Sequence, residues 1–203
     1  MIKNIVFDLG NVLVKFDHLS YVYSLGYEGE FAEKVTKSVY SHPIWVNIDR
    51  GDYERFEDAI ADFLAQNKDD FVTEEIAHHI FKGDWRSLFH LIEDTQQYLY
   101  ELKNQGYKIY ILSNFGKEGF EYVRQQFSFF EATDGIVVSA HVKMVKPERE
   151  IYEYLLKAFN IKAHETIFID DLPQNVQSAN ELGIHGILFT DLEDVKKKVS
   201  NLT

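Results

Sequence analysis

Three apolar runs that each end in polar groups constrain the fold of this chain more than any other feature of its sequence. Ile5-Val6-Phe7 stops at Asp8 and continues as Leu9-Gly10-Asn11. Ile109-Tyr110-Ile111-Leu112 ends in Ser113-Asn114, and Ile167-Phe168-Ile169 ends in Asp170-Asp171. Short continuous apolar runs bounded by polar residues suit strands buried on both faces, as in a parallel sheet. In an open parallel sheet the carboxyl ends of the strands face one crevice, where ligands bind. Burying a carboxylate there is unfavourable unless it is paired or used in chemistry, which makes Asp8 the candidate nucleophile.

From Leu91 onward helix and strand patterns alternate. Leu91, Tyr98, Leu99 and Leu102 predict a helix that ends before Gly106, followed by a strand over 107–112 and a helix over 118–127. A short strand is expected over 135–139. Pro147 suits the first turn of the helix carrying Ile151, Tyr154, Leu155 and Phe159. A strand over 166–169, a helix opened by Pro173 and stopped by Gly183, a strand over 185–189 and a basic-ended helix complete the chain. This alternation implies an α/β fold with a doubly wound parallel (Rossmann-like) sheet.

Residues 17–90 read differently. Phe56, Ala59, Ile60, Phe63 and Leu64 recur at helical spacing, as do Ile76, His79 and Ile80, and Thr73 suits a helix start. The expected organisation is an α/β catalytic core of residues 1–16 and 89–203 with an inserted all-helical cap of residues 17–88. The connections fall near 15–17 and 85–91. Because the insert leaves the core at the Asp8 end, it can cover the crevice.

The formal net charge of −12, with no basic stripe, argues against a nucleic-acid partner. With no cysteine, disulfides, thiolate metal sites and cysteine nucleophiles are excluded. No stretch approaches the roughly 18 consecutive apolar residues of a membrane span, and Asp8 interrupts the early apolar run. No membrane partner and a cytoplasmic location are therefore expected.

Each polar strand end has an ordinary reading on its own. Asp8 could only form a turn, Ser113-Asn114 could cap a helix, and Lys146 before Pro147 could be a solvated lysine. The adjacent acids Asp170 and Asp171 repel one another and call for a cation or a helix amino terminus. Taken together, carboxylates from two strand ends suit a hard cation such as Mg²⁺. A hydroxyl and backbone amides after Leu112 suit phosphate oxygens, and a lysine suits a transferring phosphoryl group. A metal, a phosphate clamp and a carboxylate nucleophile together describe phosphoryl transfer through an aspartyl-phosphate.

At these residues the chain resembles the haloacid dehalogenase superfamily. The family's motifs occur in order as Asp8-Leu9-Gly10-Asn11-Val12, Leu112-Ser113-Asn114, Lys146-Pro147 and Ile169-Asp170-Asp171, with Asn175 one turn onward. Within it, the chain is similar to small bacterial sugar-phosphate phosphatases of the alpha-D-glucose-1-phosphate phosphatase type. The resemblance implies that Asp8 is both nucleophile and magnesium ligand and that the Gly10 carbonyl is a further ligand. It implies that Ser113 and the Asn114 amide hold the phosphoryl group of a small phosphorylated metabolite. Lys146 would neutralise that group and pair with Asp8. Asp171 would bind Mg²⁺, Asp170 would do so directly or through water, and Asn175 would orient them.

Gly10 departs from the family pattern, which usually places there a second Asp as general acid and base. Loss of such a group commonly lowers rates by about 10²–10⁴-fold, least for leaving groups that depart without a proton. Gly10→Asp is accordingly expected to raise turnover of alkyl monophosphates more than of a hexose 1-phosphate. Asp17 or a residue of the insert could supply the proton instead. Two alternatives stay open: a metal-independent 2-haloacid dehalogenase, and a weakly active phosphate-binding regulatory module. Substrate choice is expected in the insert, with Trp45, Asp49 and Arg50 as specificity candidates. Packing of Trp45 inside the insert is the competing reading, and His42 and Trp85 are weaker candidates.

Overall fold

The computed structural model describes residues 1–203. Strand β1 (Asn4–Phe7) and the short β2 (Val14–Phe16) lead into α1 (His18–Ser24), α2 (Gly29–Tyr40), α3 (Ile44–Arg50), α4 (Phe56–Gln66) and α5 (Glu74–Lys82). The chain then returns through β3 (Phe89–Leu91) to α6 (Glu93–Asn104), β4 (Lys108–Ser113), α7 (Lys117–Gln126), β5 (Gly135–Val138) and the single turn α8 (Ser139–Val142). Helix α9 (Arg149–Ala158), β6 (Thr166–Asp170), α10 (Pro173–Glu181), β7 (His185–Leu188) and α11 (Leu192–Leu202) follow.

Five strands form one parallel sheet in the order β5-β4-β1-β6-β7. Strand β1 is central, so all four of its residues are buried, and its one polar residue, Asn4, donates to Thr166 Oγ1. Side chains alternate across the sheet. Val6, Tyr110, Leu112 and Phe168 pack on Ile151, Tyr152, Leu155 and Ala179 of α9 and α10. Ile5, Phe7, Ile109, Ile111, Ile167 and Ile169 join the larger cluster that continues through α6, α7 and α11 into the helical insert. Register places Phe7 opposite both Ile111 and Ile169, so Asp8 and Asp170 emerge at one level and Ser113 one residue beyond. No helix is long and apolar enough to cross a membrane.

Local signals explain several boundaries. Thr73 Oγ1 accepts the Ile76 amide at the start of α5, and Pro173 is the first residue of α10, as their sequence contexts predict.

Three boundaries differ from the sequence reading. Residues 89–91, read as helical, form β3, which pairs antiparallel with β2 through Val14–Leu91 and Phe16–Phe89. The two connections to the insert are thus one hydrogen-bonded ribbon. A segment this short has no periodicity of its own, and its pairing partner is remote in sequence. Pro147 precedes α9, whose N-cap is Glu148, because residues 145–148 form a turn closed by Glu148 N–H to the Val145 carbonyl. Ser139, read as the end of a strand, begins α8.

Candidate active site

Asp8 is the first residue after β1 and is 6% exposed. Its backbone N–H still bonds to the Ile169 carbonyl at 2.9 Å, so the strand geometry fixes its position. Beyond it the chain turns tightly: Leu13 N–H and Val14 N–H both donate to the Leu9 carbonyl, and Asn11 adopts φ 54°. Gly10 lies in this turn, bridged to Val14.

Lys146 is buried between two carboxylates. Its Nζ lies 2.8 Å from Asp8 Oδ1 and 2.6 Å from Asp170 Oδ2, and it donates to the Leu112 carbonyl at 3.1 Å. Three acceptors match the three protons of an ammonium group. Burial alone lowers its pKa, but Asp8 and Asp170 outweigh that and raise it, so it stays charged.

Asp170 and Asp171 are adjacent in sequence but differ in their surroundings. Asp170 is fully buried: Oδ1 accepts Leu172 N–H and Asn175 Nδ2, and Oδ2 accepts Lys146 and Asn175. Protein donors therefore reach both of its oxygens, and one of them is Lys146. Asn175 is oriented toward it by α10, while its own carbonyl accepts the Tyr152 hydroxyl at 3.0 Å. Asp171 is half-buried and bound on Oδ2 only by Asn11 Nδ2 at 3.0 Å.

Asn114 also divides its functions. Its side-chain amide donates to the Lys146 carbonyl at 2.9 Å and accepts Lys146 N–H at 2.8 Å. That reciprocal pair holds the lysine loop against the end of β4, leaving the Asn114 backbone N–H for an anion. Ser113, the last residue of β4, is buried beside it.

Oxygens of Asp8, Asp170 and Asp171 lie within 4.8 Å of one another. Three carboxylates against one ammonium leave a negative surplus. Burial pushes the Asp8 carboxyl up to about 7; Lys146 opposes the shift and Asp170 adds to it. Burial likewise raises Asp171, opposed by Asn11 and reinforced by Asp170. An all-oxygen donor set with surplus negative charge fits Mg²⁺, which relieves this repulsion. Asp8, Asp170 and Asp171 are the carboxylates that would hold it.

The insert meets this site through the end of α3. Asp49 and Arg50 lie there, with Arg50 donating through Nη1 and Nη2 to Glu148 at 2.8 and 2.7 Å. Gly51 ends α3 at φ 74°, and a Cβ at that position would fall 2.5 Å from the Ala140 carbonyl oxygen. Trp45, by contrast, is an internal packing residue. Its ring stacks between Tyr40 and Phe81, and Nε1 donates to the Val39 carbonyl at 2.8 Å. His42 Nδ1 accepts the Ile44 amide, and Trp85 packs edge-on against Phe89 and Tyr122. Asp17 caps α1 through the Ser20 amide and approaches Lys15 at 3.3 Å. Although burial raises its carboxyl, the Ser20 amide and Lys15 hold it below the usual range. Sequence reasoning missed Ser139 and Glu148 and gave Asn11, part of the first motif, no role; the partners of all three come from distant segments.

Residues 5–189 match the family model described as haloacid dehalogenase-like hydrolase. D-ribitol-5-phosphate phosphatase of Bacteroides thetaiotaomicron is 27% identical over 192 residues, covering 90% of this chain and 89% of that protein. The sesquiterpene phosphatase astK of Aspergillus oryzae is 40% identical over 93 residues, 46% of this chain. The matches span 47% of that phosphatase and 37% of the drimenol cyclase drtB of Aspergillus calidoustus. Among solved structures, a HAD family enzyme of Bacteroides thetaiotaomicron in complex with magnesium and inorganic phosphate superposes with a TM-score of 0.70 at 23% identity. That alignment covers 96% of this chain and 99% of the other. At such identity the likeness shows the fold alone.

Proposed function

This chain belongs to the haloacid dehalogenase-like hydrolase family, and we propose that it is a Mg²⁺-dependent phosphomonoesterase of small metabolites, with sugar phosphates as the expected class. The observation that carries this reading is Lys146 held between Asp8 and Asp170, with Asp171 alongside. The phosphatase relatives and the neighbour's magnesium and phosphate complex support it.

In this mechanism Leu9 N–H and Lys146 both engage Asp8 Oδ1, so Oδ2 is the oxygen presented to phosphorus. Mg²⁺ held at these carboxylates would supply charge neutralisation for the phosphoryl group. Lys146 favours the ionised form of Asp8 and offsets charge on the phosphoryl group, while Ser113 and the Asn114 N–H hold its remaining oxygens. Asp170 and Asn175 fix the lysine. A dehalogenase would have no use for the further negative charge of Asp171.

Phosphate release from a phosphometabolite panel, with Mg²⁺ and with EDTA, tests the reading. Activity that requires Mg²⁺ and vanishes in Asp8→Asn is expected. Release that survives Asp8→Asn would overturn the aspartyl-phosphate mechanism, and halide release in EDTA would establish the dehalogenase instead. Phosphate binding without turnover would point to the regulatory module.

A further inference from the structure

Resting on the phosphomonoesterase reading, we propose that Asp49, at the end of α3, is the general acid and base that Gly10 cannot be. Its placement is built rather than incidental. Helix α3 is fastened to the core at four points around this residue. The Asp49 carbonyl accepts the Ser139 hydroxyl, whose oxygen in turn accepts Phe115 N–H at 2.9 Å. Arg50 grips Glu148, Gly51 packs on Ala140, and Ile48 Cγ2 would lie 2.8 Å from a Cβ at Gly116. Gly116 lies just beyond Asn114, Ser139 follows β5, and Glu148 follows the Lys146 turn. Every fastening therefore sits on a segment leaving the catalytic edge of the sheet.

The Asp49 carboxyl lies within reach of the Gly116 amide, and the charges of Lys146 and Asp8 act on it. Burial raises its pKa to about 7; the Gly116 amide and Lys146 pull against the shift, and Asp8 adds to it. Arg50, the charged neighbour on its own helix, is directed to Glu148 instead. A group poised near neutrality can both give and take a proton.

The other candidates are committed elsewhere. Asp17 is held anionic at its helix cap, and Asp170 is bound on both oxygens. Asp171 is tied to Asn11 among the cation-site oxygens. His18 stacks on Tyr40, and burial pushes its ring down to about 4.

In the first step Asp8 Oδ2 bonds to phosphorus as the bond to the leaving oxygen breaks. The electron pair goes to that oxygen, which takes the Asp49 proton and departs as an alcohol. In the second step the Asp49 carboxylate takes a proton from water as the water oxygen bonds to phosphorus. The bond to Oδ2 breaks, its electron pair returns to Asp8, and inorganic phosphate leaves with Asp49 protonated again.

The test compares Asp49→Asn with wild type in Mg²⁺, using first-turnover rates on an alkyl phosphate and on p-nitrophenyl phosphate. The alkyl rate is expected to fall by about 10²–10⁴-fold and the p-nitrophenyl rate by less than about tenfold. The variant should then release p-nitrophenol in a burst of one equivalent, because the aspartyl-phosphate waits for its base. A Cβ at Gly10 meets nothing closer than the Phe16 ring at 3.7 Å, so a carboxylate can be introduced there. Gly10→Asp should restore alkyl turnover in the Asp49→Asn background. Equal losses on both substrates, or no loss on either, would overturn the role of Asp49. A wild type inert toward every phosphate ester would instead overturn the phosphatase reading itself.

Discussion

Arg50 in the helical insert and Glu148 in the core form a two-pronged ion pair, at 2.8 and 2.7 Å, immediately after the turn that carries Lys146. Glu148 Oε2 also lies 3.5 Å from Val145 N, at the other side of that turn. The insert is therefore docked onto the segment that supplies the buried ammonium group. Docking of this kind couples the position of α3 to the lysine turn.

Arg50→Ala should separate docking from folding. The pair is partly exposed, with side-chain accessibilities of 29% and 40%, so its loss should lower stability by no more than about 1 kcal/mol. Catalysis should suffer more, with kcat/KM falling about tenfold or more as solvent enters the site. Steady-state kinetics alongside thermal melting check this, and an unchanged kcat/KM would show that docking is not needed for turnover.

Removing the ammonium group leaves Asp8 and Asp170 unpaired in a buried site. Lys146→Met should cost about 3–5 kcal/mol in EDTA, the range for breaking a buried ion pair from one side. Mg²⁺ should recover part of the loss by neutralising Asp8. Urea denaturation in EDTA and in Mg²⁺ measures both, and equal losses in the two conditions would argue against a cation at Asp8.

Asp171 and Asp170 should respond differently to the same Asp→Asn change. Mg²⁺ at a hundred times its Kd should stabilise the wild type by about 2.7 kcal/mol. For a chain of this size that corresponds to a rise in Tm of roughly 5–10 °C. Asp171→Asn should abolish most of the rise with little change in EDTA. Asp170→Asn should lower Tm in EDTA itself, because it removes a fully buried partner of Lys146. Differential scanning fluorimetry across a Mg²⁺ titration distinguishes the two.

The pH dependence of stability has a definite sign. Asp8 and Asp49 have pKa values raised to about 7 in the folded protein, above the ordinary carboxyl value of 3.8. Between those values the folded state binds more protons than the unfolded chain, so unfolding free energy falls as pH rises from about 4 to about 7. Asp49→Asn should flatten this decline in EDTA, gaining on the wild type toward pH 7. Denaturation midpoints at pH 4, 5.5 and 7 test it; parallel curves would mean that Asp49 is not held protonated by the fold.

Much of the architecture is legible in local pattern. The runs ending at Asp8, Ser113 and Asp170 are apolar because their strands are covered on both faces, and that alone calls for a parallel sheet between helix layers. Thr73 and Pro173 mark helix starts because their effects act within a single turn. The ribbon of β2 and β3 escaped the same reading, since three-residue strands are specified by their partner and not by their own periodicity. Trp45 shows the converse limit: an aromatic in a polar stretch looks available for substrate, yet Tyr40 and Phe81 enclose it.

The sequence by itself determined which residue types stand at the strand ends, and hence that carboxylates, a hydroxyl and amides would share one crevice. Only the tertiary structure decided how those groups divide the work. Asp170 and Asp171 are adjacent and identical in kind, but the turn into α10 sends one into a closed set of donors and leaves the other half-open beside Asp8. Asp49 acquires its environment only because Ser139, Ala140 and Glu148, all remote in sequence, fasten α3 over the sheet edge. Local pattern fixes a backbone's conformation over a few residues. Burial and electric field at a carboxylate depend on what the rest of the chain places around it.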